Sequence, residues 1–257
     1  LRHNPRFLAV VGPSGSGKSS VVQAGLLPTL RRGDLPRSEE WQIVSARPGD
    51  DPYASLDLPS LLSPERDRKR RLVLFIDQFE ELFALCPPEV QTCFLNDLHT
   101  LITGTVPATV ILTLRADFYG HVLRHPLGER LAASQVNVLP MQPEELRTAV
   151  ETPAHQVGLE FEAGLVESIV EDARAADHAL PLLQSALAQL WRRQDHGALT
   201  YTAYQDVGRV AGALGLWAEN AYAAFTAEEQ RLTRCIFTRL VHFSEGESAD
   251  TRQRRKL

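Results

Sequence analysis

Near the start of the chain the run Gly12-Pro13-Ser14-Gly15-Ser16-Gly17-Lys18-Ser19 fills the pattern G-x-x-x-x-G-K-S/T, a spacing suited to holding a chain of phosphates. Glycines there permit the positive φ angles that turn successive backbone N–H groups toward one anion. A helix opening near Lys18 adds its partial positive charge on the same side. By this pattern Lys18 reaches the β- and γ-phosphates, and the Ser19 hydroxyl ligates Mg²⁺. The chain writes its positive charge as arginine almost throughout, with lysine only at positions 18, 69 and 256. A compact ammonium is kept where a phosphate loop wants one.

Two further sites carry chemistry. The run Leu72-Val73-Leu74-Phe75-Ile76 ends in Asp77, an acid at the carboxyl end of a buried strand, where open α/β sheets bind ligands. Asp77 there holds Mg²⁺ directly or through water. Glu80 or Glu81, three and four residues on, polarises the water that attacks a γ-phosphate; the spacing alone does not choose between them. After a second apolar run, Thr109 to Leu114, comes Arg115. A guanidinium at this sheet edge can sense the γ-phosphate and support charge that develops in transfer. Asp117 either pairs with it or caps the next helix.

The elements that must position these residues follow from periodicity. Strand patterns fall at 7–11, 42–46, 72–76, 109–114 and 135–139, with helical patterns between them, such as Val90, Phe94, Leu98, Leu101 and Ile102. Apolar strands alternating with helices predict an α/β fold with a parallel sheet sandwiched by helices. Residues 48–71 are the least regular, and the charge run from Glu65 to Arg71 is expected to be solvated. After Leu139-Pro140 the pattern turns to helices alone. Pro143 suits a first helical position. Stripes follow at Leu165, Val166, Ile169 and Val170, and at Leu182, Leu183, Ala186, Leu187, Leu190 and Trp191. Thr226 and Glu229 have capping-box spacing ahead of Leu232, Ile236, Phe237, Leu240 and Val241. His121 and His125, four apart beside Pro126, are expected to be a surface pair rather than metal ligands. The basic end, Arg252, Arg254, Arg255 and Lys256, is expected to be solvated.

Taken together, these residues resemble the novel STAND NTPase family. The resemblance rests on Phe7 through Ser20 with Ala24-Gly25-Leu26-Leu27-Pro28 after it. It continues in Asp77-Gln78-Phe79-Glu80-Glu81-Leu82-Phe83, Leu112-Thr113-Leu114-Arg115-Ala116-Asp117-Phe118-Tyr119 and Ala179-Leu180-Pro181-Leu182-Leu183-Gln184, in the family's order. It implies a signal-transduction ATPase of the AAA+-like class, related to the NACHT and NB-ARC groups, which binds ATP or ADP with Mg²⁺ and hydrolyses slowly. By it, Asp77 with Glu80-Glu81 matches the family's D-x-x-D/E-D/E segment and Arg115 the first sensor. Pro181 matches a lid proline that packs near adenine, although Ala179 stands where relatives carry glycine. The implied layout is a phosphate-loop domain at 1–140, a helical lid at 141–196 and a winged-helix module at 197–257. Relatives self-associate in the ATP state and carry sensor and effector domains, expected here outside this stretch of sequence. The family usually has a longer segment before the first strand than Leu1 to Arg6, and more residues between Ser19 and Asp77.

Composition bounds the alternatives. With 257 residues, 44% apolar and 23% charged, the chain has the balance of a soluble globular protein. It contains no run of eighteen apolar residues, so no membrane span is expected. Cys86, Cys93 and Cys235 lack C-x-x-C spacing and are expected to be reduced thiols in the cytoplasm. A net charge of −5 argues against a dedicated nucleic-acid binder. No Asn-Lys-x-Asp guanine motif and no Leu-Ser-Gly-Gly-Gln transporter signature occur. A nucleotide-binding scaffold without turnover, and a transcriptional regulator using the winged helix, are the alternatives to a hydrolysing switch.

Overall fold

A strand that is apolar at every position needs cover on both faces, and its alternate residues then enter different cores. The computed structural model describes residues 6–62, 70–176, 179–242 and 251–252, and divides after Met141 into two compact units. In the first unit β1 (Phe7–Gly12), β2 (Gln42–Ala46), β3 (Leu72–Ile76), β4 (Ala108–Arg115) and β5 (Gln135–Asn137) make one parallel sheet. Its order is β2-β3-β4-β1-β5. β4 therefore lies between the strand that feeds the phosphate loop and the strand that ends at Asp77. The last strand stops at Asn137, two residues earlier than the pattern predicts. It is an exposed edge strand, and Pro140 has no N–H to extend a ladder.

Alternation along the strands sorts the cover. Phe7, Ala9, Val11, Leu72, Leu74, Ile76, Val110, Leu112 and Leu114 share one core with Leu82, Phe94, Leu98, Val122, Leu127 and Leu131. These last come from the helices α5 (Glu81–Leu85), α6 (Pro88–Thr103), α7 (Tyr119–Leu123) and α8 (Leu127–Ala133), numbered after the four helices described next. On the opposite face Val10, Val73, Phe75 and Ile111 pack with Val22, Leu27 and Leu30, from the helix that follows the phosphate loop. That helix starts as α1 (Lys18–Ser20), widens into a π-helical turn (Val21–Leu26) and resumes as α2 (Leu27–Arg31). Pro28 lacks an N–H and its ring crowds the carbonyl four residues back, which the wider turn accommodates. Between β2 and β3 lie the short α3 (Pro52–Ser55), capped by the Asp51 side chain, and α4 (Leu58–Leu62). The greater part of the charge run, 65–69, lies outside the described residues.

The second unit contains α9 (Pro143–Gln156), α10 (Leu165–Ala175), α11 (Ala179–Arg192), α12 (Tyr201–Asp206), α13 (Arg209–Ala223) and α14 (Ala227–Leu240). Pro143 is the first helical residue, and Gln142 and Glu145 close a capping box around it. Leu146, Val150, Ile169, Leu183, Leu190, Tyr204 and Ala213 belong to one core that runs from α9 to α13. The expectation of helices alone is corrected. β6 (Glu160–Phe161) pairs in parallel with β7 (Ala198–Leu199), and β8 (Val241–His242) antiparallel with β9 (Thr251–Arg252). Two-residue strands are too short to leave a period in the sequence. Thr226 and Glu229 form the expected capping box, yet Leu232, Ile236 and Phe237 behind it are exposed, as is Trp191. The stripe on α14 buries no residue among those described. Of the basic end, Arg252 lies in β9 and the other three residues lie outside the described set. Among the described residues no helix is long and apolar enough to cross a membrane.

Candidate functional site

In the first unit the phosphate loop leaves β1 and reaches α1 through Gly15 (φ 74°) and Gly17 (φ 86°), both in the left-handed region that favours glycine. Gly12 is required for space instead: a Cβ there would stand 2.6 Å from the Val138 carbonyl oxygen and 2.9 Å from Ser16 Oγ. Pro13 and Ser14 are exposed, and Ser20 faces outward on α1. The Pro13 carbonyl accepts from Ser16 N at 3.3 Å and from Lys18 Nζ at 2.6 Å. Lys18 is buried. Burial lowers its pKa, partly opposed by the negative charges of Glu80, Asp117 and Asp77. Its ammonium has three donors and makes one hydrogen bond among the described residues.

Asp77, almost wholly buried, follows β3. Its Oδ1 accepts from Ser19 Oγ at 2.5 Å and from Thr113 Oγ1 at 2.8 Å. Its Oδ2 accepts from Gln23 Nε2 and from an Arg47 guanidinium nitrogen, both at 3.2 Å. Thr113 also takes the Gln78 N–H at 2.8 Å, which supports the positive φ of 54° at Gln78. Glu80 and Glu81 part company just beyond. Glu80 Oε2 accepts from the Arg115 N–H at 3.2 Å, at the end of β4. Burial raises its pKa, against the pull of the Arg115 N–H and of the Lys18 charge. Glu81 Oε2 accepts from Gly49 N at 3.1 Å, in the loop after β2. The Arg115 side chain makes a two-pronged pair with Asp117, Nε to Oδ1 at 3.1 Å and Nη2 to Oδ2 at 2.6 Å, and lies over the Phe118 ring. Burial pushes Asp117 up, but the Arg115 hydrogen bonds and charge outweigh it and hold the carboxyl below its ordinary range.

These residues fit a magnesium–nucleotide. Ser16 Oγ is buried with no hydrogen-bond partner, and the Lys18 ammonium, short of acceptors, suits a phosphate oxygen. A serine hydroxyl beside a carboxylate is a hard-oxygen donor set of the kind Mg²⁺ takes.

A sequence model of one family, described as Novel STAND NTPase 1, matches residues 1–257. The chain belongs to the Novel STAND NTPase 1 family. Among curated proteins none matches it. Its fold is similar to that of the Orc1 protein of Aeropyrum pernix, solved in complex with DNA, at 16% identity and a TM-score of 0.56 over 79% of this chain and 58% of that one. It is also similar to a RuvB mutant from Thermotoga maritima, at 17% identity and a TM-score of 0.53 over 80% of this chain and 62% of that one. A Rhizobiales Trip13 matches at 18% identity and a TM-score of 0.51 over 80% of this chain and 73% of that one. At these identities the likeness shows the fold. The chain spans about three fifths of the length of the Orc1 and RuvB chains.

Within this STAND chain the structure brings together Gly12 to Ser19, Asp77, Glu80 and Arg115 at the carboxyl ends of β1, β3 and β4. Glu81 faces the loop after β2. Pro181 is the third residue of α11, in the second unit. His121 is exposed and packs its ring on Phe83 and Phe118, while His125 lies 3.0 Å from Asn96 Oδ1. Three partners of Asp77 escaped the sequence reading: Thr113, Gln23 and Arg47. Thr113 left a signal, a hydroxyl at a buried position of an apolar strand, in step with Ile111. Arg47 follows β2 as Asp77 follows β3, and the register sets Ala46 opposite Ile76. Gln23 left none.

Proposed function

We propose that this chain is the nucleotide switch of a STAND protein, binding ATP or ADP with Mg²⁺ and hydrolysing ATP slowly. The observation that carries the reading is the 2.5 Å contact between Ser19 of the phosphate loop and Asp77 after β3. It joins the two halves of a metal–phosphate site from distant parts of the sequence. Bound Mg²⁺ would neutralise phosphate charge and fix its geometry. The loop N–H groups and Lys18 would hold the phosphates, and Ser19 and Asp77 the metal. Glu80 is assigned as the base that orients and deprotonates water. It is partly buried, its pKa is raised, and it is anchored beside Arg115, whereas Glu81 is committed to Gly49. Arg115 is assigned to the γ-phosphate, which requires its exchange with Asp117. On the family resemblance Pro181 packs near the adenine base, residues 141–196 are the lid and residues 197–257 a winged-helix module. Signal transduction, self-association in the ATP state, a cytoplasmic location, and sensor and effector domains elsewhere in the protein belong to the same reading.

The test is calorimetry of ATP and ADP with Mg²⁺, wild type beside Lys18→Ala, with phosphate release followed in the same samples. Lysine-dependent binding with slow release is the expected outcome. Binding with no release at all leaves a nucleotide-holding scaffold in place of a switch that resets itself. A folded wild type that binds neither nucleotide rejects the proposal.

A further inference from the structure

We propose that Arg47 is an exchangeable counter-ion that competes with Mg²⁺ for Asp77 and so sets the Mg²⁺ concentration at which the nucleotide site loads. The inference rests on the nucleotide-binding reading above and adds a regulatory residue to it. A carboxylate offers about four lone-pair sites. In Asp77 all four are taken: Ser19 and Thr113 hydroxyls on Oδ1, Gln23 amide and Arg47 guanidinium on Oδ2. A metal ion that approaches this carboxylate must therefore take the place of a donor.

The four donors are not equally replaceable. Thr113 is buried in the sheet and simultaneously holds Gln78 N. Ser19 is itself a metal-ligand type, and Gln23, exposed but without charge to repel a cation, sits with it on the helix that continues the phosphate loop. Arg47 stands in the loop that follows β2. Its side chain is 56% exposed against 3% for Asp77, and it carries the same charge sign as the incoming cation. Its departure costs little, because a guanidinium so exposed is readily rehydrated. The loop need not unravel when Arg47 leaves. Gly49 N is held by Glu81 at 3.1 Å, and the Cys86 thiol lies 3.4 Å from the Gly49 carbonyl oxygen. Glu81 is by this account a positioning residue for the Arg47 loop.

The experiment is a Mg²⁺ titration of ADP and ATP binding by calorimetry, using the full chain as wild type, Arg47→Gln and Arg47→Lys. Circular dichroism melting establishes that each is folded. Arg47→Gln is expected to lower the Mg²⁺ concentration for half-maximal enhancement of binding by roughly two- to fivefold, the size of a solvent-exposed ion pair. Its nucleotide affinity in excess chelator should stay within about twofold of wild type. Arg47→Lys, which keeps the charge but loses the planar fork, should fall between the two. An unmoved or raised midpoint in Arg47→Gln, with wild type binding normally, overturns the role of Arg47 alone. Loss of binding in chelator overturns it too, by making Arg47 a nucleotide contact. A folded wild type that binds nothing overturns this inference together with the reading on which it rests.

Discussion

Two neighbouring glutamates show how much a residue's contacts depend on where the fold places it. Glu80 and Glu81 are chemically identical and adjacent, yet one carboxylate reaches the end of β4 and the other the loop after β2. Glu80→Gln is expected to retain nucleotide and to slow phosphate release by about 10²- to 10⁴-fold, the usual worth of a positioned base. Glu81→Gln should bind and hydrolyse with a much smaller loss. Equal effects in a phosphate-release assay would sink the assignment. The pH dependence has a fixed sign. A base works ionised, and burial raises the Glu80 pKa, so hydrolysis should rise with pH through a midpoint above that of an ordinary glutamate. In Glu80→Gln that acid limb should vanish. Lys18→Ala removes the buried ammonium that faces the loop and should abolish binding of ATP and ADP alike, read by calorimetry.

At the scale of elements, the site depends on β4, inserted between β1 and β3. Thr113 on that strand supports both Asp77 and the backbone of Gln78. Thr113→Val keeps the shape and removes both bonds, leaving the buried Asp77 carboxylate without one donor and the part-buried Gln78 N–H without its acceptor. The expected cost is about 1–3 kcal/mol, measured by urea unfolding; an unchanged midpoint would show that Asp77 and Gln78 need no such support. The close approach of the phosphate loop to the segment after β5 makes a second prediction. Gly12→Ala places a methyl group 2.6 Å from the Val138 carbonyl, and overpacking of that kind costs about 1–3 kcal/mol. The melting temperature should drop accordingly. The same substitution to alanine at Gly25, where nothing lies within 4 Å of the added atom, should leave it nearly unchanged or raise it. The π-helical turn at Val21–Leu26 belongs to this scale as well. A helical pattern ahead of Pro28 was readable, but the i to i+5 bonding was not, because hydrophobic spacing hardly distinguishes one wider turn.

For the whole molecule, the two units carry separate cores. The two faces of the sheet shape the two cores of the first unit, and helices, apart from two-residue ladders, shape the core of the second. On the switch reading, a non-hydrolysable ATP analogue should shift the chain toward self-associated species in sedimentation velocity, while ADP leaves it as it is. Lys18→Ala should respond to neither. A sedimentation profile indifferent to nucleotide in a wild type that binds it would remove self-association from the reading. The exposed apolar residues Leu232, Ile236 and Phe237 on α14 mark where the helical stripe in the sequence meets no core among the described residues. Periodicity reports that a face is apolar, not what covers it.

The phosphate loop, the five strands and the acid after β3 were legible in the sequence, because each is a local pattern of neighbouring residues with one physical cause. Backbone conformation at the glycines, burial of apolar runs and the position of an acid at a strand end are all written within a dozen residues. What only the tertiary structure decided lies across longer separations. The donors to Asp77 come from 58, 36, 54 and 30 residues away, at Ser19, Thr113, Gln23 and Arg47. Their convergence depends on strand order and register, which no local pattern encodes. The different partners of Glu80 and Glu81 and the pairing of Arg115 with Asp117 arise in the same way, from which backbone or side-chain group each charge meets once the sheet is assembled.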